Sequence, residues 1–231
     1  MKKNISILVV GSINADLIAY TNSGSQRANY AYGSDFEFNL GGKSLNVALT
    51  ASTFTEDIVL ISRVGNDIFG LEILERLAHR GLMTQYIKID QSAHTGVGHV
   101  RVDEHGQYDT IVINGANWNL EESDVEAFLS DGYIPQYVVF NFEANVQFLK
   151  KIIPTFKALG SKTVMNFSPI VTDMRELLSM VDIAVMNLEE AQQILDIGDE
   201  DPLLLLGRLK SLGPEIVVIT QGADGSVALN N

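Results

Sequence analysis

The chain has 231 residues, 46% of them hydrophobic, with 16 Lys and Arg against 29 Asp and Glu and a formal net charge of −13. That length suits one large domain, or one domain with a small appendage, and the apolar content excludes a disordered chain. The absence of cysteine excludes disulfide scaffolds, thiolate zinc sites and cysteine nucleophiles; four scattered histidines argue against a His-rich metal site, and the acidic balance argues against general nucleic-acid binding.

The start, Met1 to Gly11, has the outline of a short signal peptide, but Ser6 breaks its apolar run and Asn14 and Asp16 end it early. It reads as a first strand, Ile5–Val10, of a cytoplasmic protein, and no later run approaches the ~18 apolar residues of a membrane helix. Ala15–Tyr20 and Asn29–Phe38 alternate and are rich in aromatics, the pattern of half-buried antiparallel strands. Ser44–Phe54 then reads as a helix, Ile58–Ile61 as a buried strand, and Phe69–Arg80 as a helix stopped at Gly81. Thr95–Asp103 and Gln107–Asn114 alternate again, joined by a hairpin turn at Glu104-His105-Gly106. Tyr137–Asn141 is a buried strand. Asn145–Leu159 carries apolar residues at helical spacing, with Pro154 expected to kink or split the helix. Thr163–Phe167 and Ile183–Met186 are buried strands, Asp201–Leu212 is a helix with Pro202 in its first turn, and Ile216–Thr220 is another buried strand.

Short strands apolar on both faces, alternating with helices, predict an α/β fold: an open parallel sheet sandwiched by helices. The aromatic segments, from about 15–38 and 95–114, gather into a small β-sheet lid on the one domain spanning 1–231. Tyr20, Tyr30, Tyr32, Phe36, Phe38 and Tyr108 fall there, more large side chains than a small sheet can bury, and an interface is one explanation.

Five segments have the residues for chemistry. Gly11-Ser12-Ile13-Asn14-Ala15-Asp16 follows the first strand, where ligands bind in open α/β sheets; a plain turn is the alternative. Gly41-Gly42-Lys43-Ser44-Leu45-Asn46 combines close backbone approach, helix N–H groups aimed at a ligand and a positive charge. It is no Walker P-loop, whose first glycine would fall at Glu37. Asp67, after Arg63-Val64-Gly65-Asn66, reads first as a helix N-cap. Asn187 and Glu190 share a face of a first helical turn, where an amide and a carboxylate suit the waters around Mg²⁺, or simply a cap. Thr220-Gln221-Gly222-Ala223-Asp224-Gly225 is a Gly-rich turn able to offer N–H groups to phosphates, or a hairpin.

Together these segments resemble the PfkB carbohydrate kinases, the ribokinase branch most of all. The resemblance is carried by Val9-Val10-Gly11-Ser12-Ile13-Asn14-Ala15-Asp16, Gly41-Gly42-Lys43-x-x-Asn46, Val64-Gly65-x-Asp67-x-x-Gly70, Thr95-Gly96-Val97, Gly115-Ala116-Asn117, Asn187-x-x-Glu190 and Thr220-x-Gly222-x-x-Gly225. It implies ATP-dependent phosphorylation of a sugar's primary hydroxyl. By resemblance, Asn14, Asp16, Gly42, Lys43, Asn46 and Glu143 bind the sugar. Asn187 and Glu190 organise Mg²⁺, Glu190 through water, and Thr220, Gly222 and Gly225 line the ATP site. The aromatic strands become a lid that also forms a homodimer interface.

One departure weighs against full activity. The family's second signature, Asp-Thr-x-Gly-Ala-Gly-Asp, which holds the anion hole and the catalytic base, does not occur here, so no catalytic residue is assigned. The resemblance would place it, and a monovalent-cation loop, beyond residue 231; the expectation is a C-terminally truncated fold, whether a fragment, a shortened reading frame or a natural loss. An apolar sheet face should then lie uncovered. Two alternatives to an inactive piece of a sugar kinase remain: a non-catalytic relative that binds sugar or nucleotide, and a nucleoside kinase.

Overall fold

The computed structural model describes residues 3–21 and 32–230. Strand β1 (Lys3–Val10) lies at the centre, and its run of Leu8, Val9 and Val10 is fully buried because it packs on both faces. Leu8 and Val10 enter one core and Val9 the other, as the two-residue period of a strand requires. On one side β1 pairs in parallel with β4 (Ile58–Gly65), and β4 with β5 (Ile87–Asp90). On the other side come β8 (Tyr133–Asn141), β9 (Lys162–Asn166), β10 (Ile183–Asn187) and β11 (Ile216–Thr220), all parallel. β12 (Ser226–Leu229) adds an antiparallel edge.

Helices α1 (Lys43–Ala51) and α2 (Ile68–His79) cover the β1–β4 side with Leu45, Ala48, Ile73 and Leu77. Helices α3 (Glu122–Ser130), α4 (Val146–Ala158), α5 (Leu188–Leu195) and α6 (Pro202–Lys210) build the larger core on the opposite face. On β9, β10 and β11 the residues facing that core, such as Met165, Ala184 and Val217, are wholly buried. Their alternates Val164, Val185 and Val218 are half-buried and belong to neither core. Among the described residues no helix is long and apolar enough to cross a membrane.

Two expectations need correction. Helix α4 is not split at Pro154, one of the two outcomes expected there. Phe148, Leu149, Ile152, Ile153 and Phe156 anchor it, and Pro154 stands at an exposed position. The second concerns the lid, a sheet ordered β3-β2-β6-β7 from β2 (Asn14–Thr21), β3 (Gly33–Gly41), β6 (Gly96–Val102) and β7 (Tyr108–Ile113). Its strands were expected to be antiparallel throughout, but β2 and β6 pair in parallel, Asp16 opposite Gly98. Each follows a parallel strand of the main sheet, β1 or β5, and leaves it in the same direction. Nor is the lid evenly half-buried: all six residues of β7 are exposed. Phe38 packs on Phe69, ring centroids 5.6 Å apart, and under the Arg76 guanidinium, whereas Phe36 and Tyr108 face outward. Asn29–Ala31 of the expected third strand, with Tyr30, lies outside the described residues.

Candidate active site

The C-terminal ends of β1 and β8 meet the start of α1 beneath the lid. Gly42 precedes α1 with φ +95°, and a Cβ there would lie 2.8 Å from Ser12 O and 2.9 Å from Asn14 N, so only glycine admits the approach. The helix N–H groups expected to face a ligand are taken by the protein itself. Lys43 N donates to Glu143 Oε2 at 2.9 Å, Ser44 N to Ser12 Oγ at 3.4 Å and Leu45 N to Ser12 O at 3.1 Å. The Glu143 carboxylate, 8% exposed, thus caps α1, where the helix dipole favours an anion. Ser12 Oγ donates to the same Oε2. Asn141 locks the corner by accepting from Glu143 N at 3.0 Å and donating to Ser44 Oγ at 2.6 Å.

Asp16 sits on β2 between two glycines. A Cβ on Gly41 would lie 2.1 Å from its Cγ, and one on Gly98 2.4 Å from its Oδ1. The carboxylate fills space that any side chain at those positions would take. Burial, and then the neighbouring charge of Glu143, push its pKa up to about 6. Asn14, 4% exposed, accepts from Asn117 Nδ2 at 2.7 Å. Lys43 and Asn46 line a shallow depression of about 470 Å³ with Val47, Thr50, Phe54 and Asn166; neither Asn14 nor Asp16 lines it.

The second group of candidates lies along the same sheet end. Asn187 Oδ1 accepts from Glu190 N at 2.7 Å while Glu190 Oε2 accepts from Asn187 N at 2.8 Å, a reciprocal cap on α5. Thr220 pairs with Asn187 across β10 and β11. Gly222 and Gly225 have φ of +60° and +87° with open space where a Cβ would stand, so the turn demands glycine there. β10 is two strands from β8 and β11 is four from β1, roughly 10 and 19 Å at the usual strand spacing. Among the described residues no group of three or more His, Cys, Asp and Glu side chains has the form of a metal site. The hard oxygens of Asn187 and Glu190 suit Mg²⁺ held through water and phosphate oxygens, the ordinary habit of that ion.

Asp67 caps α2 as expected, accepting from Gly70 N at 2.9 Å, and also ties the lid by accepting from Thr95 N and Oγ1. Two residues named in the sequence motifs had been given no role there. Arg63, 6% exposed, forms a bidentate pair with Asp124 and further bonds to Glu121 and Asp90. Asn117 reaches the site from 104 positions away, and the tripeptide Gly115-Ala116-Asn117 was its only signal.

The profile of the pfkB family carbohydrate kinases matches residues 4–231. The chain belongs to that family. Ribokinase of Mus musculus is 26% identical over 97% of this chain and 71% of its own length. The structure of ribokinase from Giardia lamblia superimposes with a TM-score of 0.85 at 26% identity, covering 98% of this chain and 72% of that one. That of Arabidopsis thaliana ribokinase complexed with ribose and ATP gives a TM-score of 0.87 at 22% identity, over 99% and 76%. The pfkB kinase thus has the ribokinase fold, its lid carried on β2, β3, β6 and β7.

Proposed function

We propose that this pfkB kinase binds a pentose-like sugar beneath the lid and belongs to the machinery that phosphorylates a primary hydroxyl of that sugar with ATP. The observation that carries the reading is the convergence of Asn14, Asp16 and the Glu143-capped Gly42-Lys43 turn at one sheet end, with Asp16 held in a glycine-lined slot. An ionised Asp16 accepts from sugar hydroxyls, and Lys43 and Asn46 hold others. Asn187, Glu190, Thr220, Gly222 and Gly225 would hold ATP and its Mg²⁺ along the adjoining strand ends. When bound, Mg²⁺ would neutralise phosphate charge; the residues named orient it through water. Isothermal titration with D-ribose, 2-deoxy-D-ribose and D-fructose tests the reading, and heat from none of them would refute it.

Asp16→Ala should remove a charge-assisted hydrogen bond worth ~1.5–3 kcal/mol, a loss of about 10–150-fold in sugar affinity. Unchanged affinity in that variant would place the sugar elsewhere. Affinity should also depend on pH. Because the folded protein holds the Asp16 proton up to about 6 against an ordinary 3.8, ionisation costs the sugar-free fold stability as pH rises through that window. A sugar that donates to the carboxylate binds its ionised form. Affinity should therefore be level above about 6 and fall by up to tenfold per unit below it, and a flat profile from pH 5 to 8 would contradict this.

The lids should pair two copies of the chain. β7 is open along its whole length, with Tyr108, Ile111 and Ile113 each more than half exposed. Sedimentation should give a dimer that Ile111→Lys dissociates, and a monomer at high concentration would count against it. A second reading is a sugar-binding relative without transfer chemistry of its own; a stop codon directly after Asn231 would favour it, and an in-frame Gly-Ala-Gly-Asp beyond Asn231 would refute it.

A further inference from the structure

Asn117 lies in the 3-10 turn Gly115–Asn119 and is 1% exposed. Its side chain makes two contacts at the site. Oδ1 lies 2.9 Å from Ile13 N, and Nδ2 lies 2.7 Å from Asn14 Oδ1. The oxygen and nitrogen of an amide have nearly the same shape, so partners must assign them. Here the partners suffice. A backbone N–H can only donate, so the Asn117 atom facing Ile13 N is its oxygen. The other atom is then the NH₂ group, which can only donate, so the Asn14 atom facing it is an oxygen. Asn14 Nδ2 is therefore turned away from Asn117 as a donor. Gly96 makes the contact possible, since a Cβ there would lie 2.3 Å from both Asn117 Nδ2 and Asn14 Oδ1. The turn is itself fixed: Ala116 N donates to His94 O at 2.8 Å, and Asn119 Nδ2 to Asp90 Oδ2 at 3.0 Å.

We propose that Asn117 is a positioning residue that sets the hydrogen-bond sense of the sugar site, holding Asn14 as a donor beside Asp16 as an acceptor. Such a pair selects a hydroxyl group, which accepts from one residue and donates to the other. A carbonyl or ether oxygen satisfies Asn14 alone, an ammonium group satisfies Asp16 alone, and a deoxy position leaves both unpaired. The proposal rests on the sugar reading and gives it a chemical criterion.

The test is Asn117→Asp, nearly isosteric. Its carboxylate still accepts from Ile13 N but offers Asn14 a second acceptor, so the Asn14 amide must reverse and point its oxygen at the ligand. D-ribose affinity by calorimetry should fall about 5–150-fold near pH 7.5, the cost of an unpaired buried polar group. The gap between variant and wild type should narrow as pH falls towards about 5, because a protonated carboxyl donates to Asn14 as the amide does. A merely structural loss would not follow pH in that sense, so a constant gap, or none in a folded variant, overturns the proposal. A second readout needs neither sugar nor variant. In ¹⁵N-labelled wild type, the side-chain NH₂ of Asn117 should exchange with solvent more slowly than that of Asn14, and the reverse order overturns the assignment. Failure of the wild type to bind any pentose would refute the sugar reading and leave that exchange order to decide the amide geometry by itself.

Discussion

Arg63→Leu should destabilise the fold by about 3–5 kcal/mol, the usual cost of stripping one partner from a buried ion cluster. Arg63 projects from β4, where its Nε and Nη2 bond Asp124 at 2.7 and 3.0 Å, Nη2 bonds Glu121 at 2.6 Å and Nη1 bonds Asp90 at 3.3 Å. Asp90 and Asp124 are only 6% and 7% exposed, so leucine would leave two carboxylates facing each other out of water. Burial alone would push Asp90 up. Hydrogen bonds from Ser92 and Asn119 and from the N–H groups of Ser92 and Ala93 outweigh it and hold Asp90 well below the ordinary carboxylate range. Its contribution is thus present above the ordinary carboxylate pKa and fades as pH falls below it. Urea denaturation should show a lower midpoint with an unchanged slope. A loss below about 1 kcal/mol would mean that Lys88, 3.5 Å from both Glu121 and Asp124, takes over the pairing.

The main sheet was legible because its strands are short and almost continuously apolar, whether buried on both faces, as β4 is, or fully on one, as β11 is. Ile5–Val10 and Ile216–Thr220 are short apolar runs that a helix of that length would not need. What escaped notice is what carries little local signal. β5 is four residues, Ile87-Lys88-Ile89-Asp90, too short for alternation to stand out. α3 buries Val125 and Phe128 within an otherwise acidic stretch, and its box of Glu121 and Asp124 lacks the serine or threonine usual at that cap. The parallel pairing of β2 with β6 depends on which way two distant segments leave the main sheet, which neither sequence states. At the site, Asn14, Asp16 and Gly42 were singled out by their place after the first strand and before a helix, and their sugar-binding roles came from the family resemblance. The internal use of the α1 N–H groups could not, since it depends on Glu143 arriving from β8, 100 positions away. Asn117 and Arg63 were hidden for the same reason: their meaning lies in partners 104 and 61 positions distant.

Given ATP, Mg²⁺ and a pentose, the purified 231-residue polypeptide should turn over at no measurable rate. Phosphoryl transfer rests on positioning and on stabilising charge that develops in the transferred group. The Gly-Ala-Gly-Asp segment implied by the family resemblance would supply an anion hole and a base, and these 231 residues do not contain it. Loss of one oxyanion donor typically costs ~10²–10³ in rate and loss of a general base a further ~10²–10⁴. The carboxylates present do not replace them. Asp224 lies past the end of β11, four strands from β1 and so roughly 19 Å away, whereas a base must sit within hydrogen-bond reach of the hydroxyl. Glu143 already spends Oε2 on Ser12 and Lys43 N. Asp16 is the strongest rival, since a pKa of about 6 suits proton transfer near neutrality. Even so, it supplies no donors for the transferred group, and the anion-hole deficit stands. Product formation at a rate near that of a whole ribokinase, free of host kinases, would overturn this expectation. The decisive follow-up would be Asp16→Asn, which keeps the side chain's shape in its glycine slot while removing the base: abolished turnover with sugar affinity reduced only in proportion to the lost charge would identify Asp16 as the group that takes the proton.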